Sequence, residues 1–224
     1  MYRVTDVVKH LLLINIGLFI ATIFIMGDPA AQTTHMLVNE RVTDMSLWQR
    51  YQLAMFFPTS DYFRPYQIVT HMFMHGGFMH IFFNMFVLFM FGPPLEALWG
   101  PRRFLFYYFF AGFGALLLHL FVAYLEMSFF GADELGRNVP MLGASGAIFG
   151  LLLGFGMMFP EEKLMLIIPP IPIKAKYFVI ILAVLELFLG LSRMSTGIAH
   201  FAHLGGALFG FLLIMYWRKH GTRL

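Results

Sequence analysis

Apolar residues run along this chain in long stretches broken by short polar segments. A membrane span needs about 20 apolar residues at about 1.5 Å each. Six stretches approach that length: Val8 to Met26, about His80 to Phe91, Phe104 to Leu125, Leu142 to Phe159, Tyr177 to Leu191 and Gly197 to Trp217. The second is short unless His71 to Phe78 also lies at membrane depth, and the fifth is short and carries Glu186. The pattern predicts an all-α, polytopic membrane protein with six transmembrane helices, forming one domain over residues 1–224. One long loop, from about 27 to 67, follows the first span. Its Met45 to Tyr51 and Met55 to Pro58 segments are rich in aromatic residues and methionine. They are expected to lie in the outer headgroup region.

Composition strengthens this reading. The chain is 59% hydrophobic and 12% charged, with a mean hydropathy of +0.75, whereas soluble domains run about 45–50% apolar and about 25% charged. A core of this size cannot hide the excess, so much of it faces lipid. The net charge of +3 comes without a basic tract, so no nucleic-acid partner is expected. The absence of cysteine excludes disulfides, thiolate metal sites and a cysteine nucleophile. Arg3, Lys9, the Leu11 to Met26 run and Pro29-Ala30-Ala31 imitate a secretory signal, but a retained first span is the simpler expectation in a chain that is itself membrane-embedded.

Charge sets the orientation. With the N-terminus inside, ten of the fifteen lysines and arginines, including all five lysines, fall in inside segments. The outside loops hold Arg41, Arg50, Arg64, Arg137 and Arg193. Both termini are therefore expected to be cytoplasmic.

Ionisable and polar residues in hydrocarbon are functional candidates by default, and three clusters stand out. Ser145 lies between Gly143 and Gly146 at the outer start of the fourth span. Free backbone N–H groups at a helix N-terminus there suit an oxyanion. His203, Gly206 and Gly210 share a face of the sixth span. That face can meet the fourth span closely and bring a base to the serine. His80 and Asn84 share a face of the second span and are two candidate oxyanion donors. Gly76-Gly77 separates them from His71 and His75, which are expected to satisfy backbone groups of the first loop. His200 is expected at the edge of the glycine face. Glu186 stands alone in its span, and Asp133 and Glu134 sit in a loop. With no carboxylate placed to orient His203, a Ser-His dyad is expected rather than a triad. The His71/His75 and His200/His203 pairs have zinc-ligand spacing, but no HExxH motif or adjacent carboxylate accompanies them, so no metal or other cofactor is expected.

At these residues the chain resembles the rhomboid family of intramembrane serine proteases in its six-helix bacterial form. The matches are Gly143-Ala144-Ser145-Gly146 (GxSG), His203–Gly206–Gly210 (HxxGxxxG) and His80–Asn84 (HxxxN). Gly92-Pro93-Pro94-Leu95-Glu96 with Gly100, and Phe63-Arg64-Pro65-Tyr66-Gln67 before Thr70-His71, extend the likeness over nearly the whole chain. The resemblance implies Ser145 as nucleophile, His203 as base, and His80, Asn84 and the Ser145 N–H around the oxyanion. It implies cleavage of transmembrane protein substrates near the outer face of a bilayer, here a bacterial cytoplasmic membrane. It also implies that Glu96 bonds inside the second loop. Many relatives carry Tyr four residues after the serine, where this chain has Phe149; a phenyl ring can still stack on His203. Two rivals stand beside the enzyme: a rhomboid-like protein that binds transmembrane segments without cutting, and a transporter using its histidines as a relay. Both catalytic residue types are present, and neither inverted repeats nor paired broken helices are seen.

Overall fold

The computed structural model describes residues 4–26, 51–129, 138–165, 170–192 and 199–221. The Pro29–Ala31 and Met45–Arg50 segments, Arg41, Arg137, Arg193, Asp133 and Glu134 lie outside the described residues. Six helices longer than a dozen residues occur among those described. They are α1 (Asp6–Met26), α2 (Phe78–Trp99), α3 (Pro101–Phe129), α4 (Ser145–Met158), α5 (Ala175–Leu191) and α6 (His200–Lys219). Four of them, α1, α2, α3 and α6, are long and apolar enough to cross a membrane. The 14 residues of α4 rise only about 21 Å, short of a hydrocarbon core of about 30 Å.

The largest departure from the sequence pattern is α2, which starts near the expected place but runs eight residues past Phe91 to Trp99, with Pro93 and Pro94 inside it. Proline removes a helical N–H and crowds the preceding turn, which makes Gly92-Pro93-Pro94 read as a stop. Packing overrides that preference. A Cβ at Gly92 would press on Val8 of α1 and, less closely, on Leu88 and Phe104, so the glycine admits a neighbouring helix. One turn further, Glu96 accepts hydrogen bonds from Thr5 Oγ1 (2.5 Å), Val7 N (3.0 Å) and Val8 N (2.9 Å). Its carboxylate therefore caps the orphan N–H groups of α1 where bonds inside the second loop were expected, while its backbone carbonyl accepts from Gly100 N at 2.8 Å.

The described residues divide into two compact units, Met1–Val8 with Val87–Val122 and Ser145–Leu224, and Lys9–Phe86 with Ala123–Ala144. In the first, α4 packs among α3, α5 and α6. A Cβ at Gly146 or Gly150 would strike Ala115 or Ala111 of α3, and one at Gly156 would press on Val179 of α5. Between α4 and α5 the chain forms a two-stranded antiparallel hairpin, β1 (Lys163–Met165) and β2 (Pro172–Lys174), with Lys163 opposite Lys174. Glu161 pairs there with Lys174 (2.6 Å) and Lys176 (2.5 Å). Those hydrogen bonds hold its carboxyl down at about 2.

In the second unit, the loop before α2 folds on itself around Gln67, which is fully buried. Its Oε1 accepts from Arg64 N (3.0 Å) and its Nε2 donates to Gln52 O and Tyr62 O (both 3.1 Å). Met55 and Phe56 are buried, and Met55 bridges Met141. These two side chains therefore face protein, not the headgroup region expected for them.

Candidate active site

Ser145 is the first residue of α4. Gly143, two residues earlier, has φ +119°, a conformation that L side chains rarely adopt, and its N–H donates to His71 O at 2.9 Å. The glycine turns the chain so that Ser145 opens the helix. Ser145 is half-buried while Ala144 and Gly146 on either side are buried. The first N–H groups of a helix have no intrahelical acceptor and carry partial positive charge.

The two glycine faces meet. A Cβ built on Gly150 would lie 3.1 Å from Gly206 O, and one on Gly210 would lie 3.4 Å from Gly150 Cα. At Gly206 it would strike the Gly146 backbone outright. The backbones of α4 and α6 thus touch along a seam that only glycine permits. Tyr107 of α3 locks it, donating its hydroxyl to Gly150 O at 2.7 Å. No motif pointed to Tyr107; the only sequence signal is a tyrosine hydroxyl in an apolar run.

On this seam the His203 ring lies flat on Phe149, with centroids 4.1 Å apart and planes 7° apart. Phe149 follows Ser145 by one helical turn and shares its face. The structure therefore brings His203 to the face of α4 that carries Ser145.

Glu186 overturns one expectation. It is not alone: its Oε2 lies 2.6 Å from His200 Nδ1 and its Oε1 lies 3.1 Å from His203 Nδ1. The first contact is a hydrogen bond; the second is within ion-pair distance but not aligned as one. All three residues are buried, and one ligand atom from each lies within 4.8 Å of the others. The premise that no carboxylate adjoins the His200/His203 pair is therefore wrong, and this trio could geometrically hold a divalent cation. The partners stand 14 and 17 positions apart on different helices, which no local motif reveals; the usable signal was an ionisable residue inside an apolar helix.

His80 and Asn84 belong to the second unit. Gly76 N donates to His80 Nδ1 at 3.4 Å. An acceptor at Nδ1 places the proton of the neutral ring on Nε2, making that nitrogen a donor. Asn84 is buried and donates one amide hydrogen to His80 O at 2.8 Å, leaving a second. His71 Nδ1 bonds Gln67 O at 2.8 Å, the backbone role expected of it. His75 packs edge-on against His80, centroids 5.1 Å apart, and burial, with His80 nearby, holds it down to about 3.

Residues 62–220 match the family model described as Rhomboid domain. The chain is 34% identical over 158 residues to presenilin-associated rhomboid-like protein A, mitochondrial, of Danio rerio, covering 68% of this chain and 39% of that protein. It is 31% identical over 152 residues to rhomboid protein 1, mitochondrial, of Saccharomyces cerevisiae, covering 68% and 42%. It is 31% identical over 156 residues to YdcA of Bacillus subtilis, named as a candidate rhomboid protease, covering 66% and 65%. The chain thus spans about two fifths of the length of these mitochondrial relatives.

Proposed function

The chain belongs to the rhomboid family, and on that premise we propose that it is an intramembrane serine endopeptidase acting through Ser145 and His203. The observation that carries this reading is the His203 ring stacked on Phe149, one turn from Ser145, across a seam of bare backbone. His203 takes the Ser145 proton while Oγ bonds the scissile carbonyl carbon, and the carbonyl electron pair moves to its oxygen. The oxyanion is held by the N–H groups at the start of α4, which have no intrahelical acceptor. The protonated histidine then gives its proton to the departing amine, and water releases the acyl group by the reverse sequence.

The substrate is the transmembrane segment of another membrane protein, cut near the outer face. Six spans with both termini cytoplasmic accord with the inside bias of lysine and arginine. A bacterial cytoplasmic membrane is the proposed location, supported by the bacterial relative being matched over more of its own length than the two mitochondrial ones.

The test is cleavage of a transmembrane substrate in proteoliposomes by the parent protein and by Ser145→Ala. Cleavage by the parent that disappears in the variant, with unchanged melting temperature, supports the assignment. Parental turnover in Ser145→Ala contradicts it, and substrate binding without cleavage by the parent would make the protein a binder.

A further inference from the structure

Helix α5 faces outward along most of its length and buries its one carboxylate. Of its 17 residues only Ala175 and Glu186 are buried, while Ile180, Ile181, Val184, Leu185, Leu187 and Phe188 are exposed. Most of its large aliphatic side chains point out, Val179 meets Gly156 of α4, and its one carboxylate points in. A buried carboxylate is costly unless paired and hydrogen-bonded, and the partners it finds are the two imidazoles of α6, one for each oxygen.

Carboxylate oxygens only accept, so each facing Nδ1 is suited to carry a proton. For His203 that leaves Nε2 as the nitrogen with the free lone pair, the one a serine base uses. We propose that Glu186 is a positioning residue for His203 and that His200 anchors it. Its carboxylate selects the Nδ1–H tautomer, fixes the ring plane together with Phe149, and offsets the positive charge that forms when His203 takes the serine proton. The Glu186–His203 contact is longer and less aligned than Glu186–His200. Such contacts are often loose without substrate and tighten in the complex. The inference rests on the Ser145–His203 reading and turns its dyad into a triad whose acid comes from α5.

The experiment measures kcat and KM on a transmembrane substrate for the parent, Glu186→Gln, Glu186→Asp and His203→Ala. Competent sites are titrated with a serine-directed fluorophosphonate, and each melting temperature is recorded. Glu186→Gln should lose at least about tenfold in kcat per titrated site, with KM and melting temperature unchanged. Glu186→Asp should recover part of the loss. Parental kcat per site in Glu186→Gln overturns the proposal, as does a loss seen only in the number of sites or in melting temperature. Should Glu186→Gln fail to fold, Glu186→Asp carries the test, and parental kcat per site there overturns it. Zinc ions alone, added and then chelated, probe the other use of this trio. Reversible zinc inhibition of the parent that Glu186→Gln escapes at parental kcat would make this a metal site and overturn the positioning role. Parental turnover in His203→Ala would instead remove the reading beneath it.

Discussion

Helices α4 and α5 are both strongly apolar, yet they are used in opposite ways. Nine of the 14 residues of α4 are buried, four of them glycines, and its neighbours come into backbone contact. In α5 only Ala175 and Glu186 are buried. Hydrophobicity does not separate inside from outside in lipid, because lipid is as apolar as a core. Small residues do, since they let backbones approach. The nucleophile candidate thus sits on a helix held from three sides, and the candidate for orienting the base sits on one that mostly faces outward.

Removing the proposed reacting groups should break this contrast most severely. His203→Ala and Ser145→Ala are each expected to lower turnover by about 10⁴–10⁶ at an unchanged melting temperature, measured on purified protein with a transmembrane substrate. His200→Ala should keep a clear fraction of turnover and lose mainly stability. Were His200 essential and His203 dispensable, the base would sit one turn higher on α6.

Next comes the seam itself. Gly206→Val drives a side chain into the Gly146 backbone, where nothing flexible can yield. Overpacking of this kind costs about 1–3 kcal/mol, occasionally more, and should show as a lowered melting temperature together with lost serine labelling. Val184→Ala on the exposed face of α5 should, by contrast, change stability by no more than about 0.5 kcal/mol. Equal losses in the two variants would erase the distinction between the helices.

The smallest effect lies in the hairpin that joins them. Glu161, whose usual value is 4.5, is held at about 2 by its hydrogen bonds to Lys174 and Lys176. A lowered carboxyl contributes stability that is fully present above about 4.5 and is lost as pH falls through about 2. The group is exposed, so the contribution is small and screened by salt. Glu161→Gln should flatten that part of the acid dependence of melting between pH 5 and 2; an unaltered acid slope would leave the ion pairs without thermodynamic weight.

Much of this architecture is legible in the sequence because long apolar runs bounded by polar segments mark helices. The starts of α1, α4, α5 and α6 fall within three residues of the apolar boundaries. The α4–α6 seam was legible because glycine spacing on a helix is a direct statement about close approach. What escaped depends on distant partners. The passage of α2 through Pro93 and Pro94 is accompanied by Val8 against Gly92 and by the Glu96 cap on α1, contacts about 90 positions apart in the chain. The hairpin escaped because three-residue strands around Pro172 carry no alternation. Glu186 was visible as an anomaly, but which way α5 turns it cannot be read from a helix apolar on every side.

The central claim is that Ser145 is a nucleophile made reactive by His203. Its most direct measurement is mass-spectrometric mapping of a fluorophosphonate adduct on the parent protein and on His203→Ala, both folded in detergent. One adduct on Ser145 in the parent, absent in His203→Ala, is the predicted result. Labelling of Ser145 at the parental rate in His203→Ala, or no adduct on Ser145 in the parent, would contradict it.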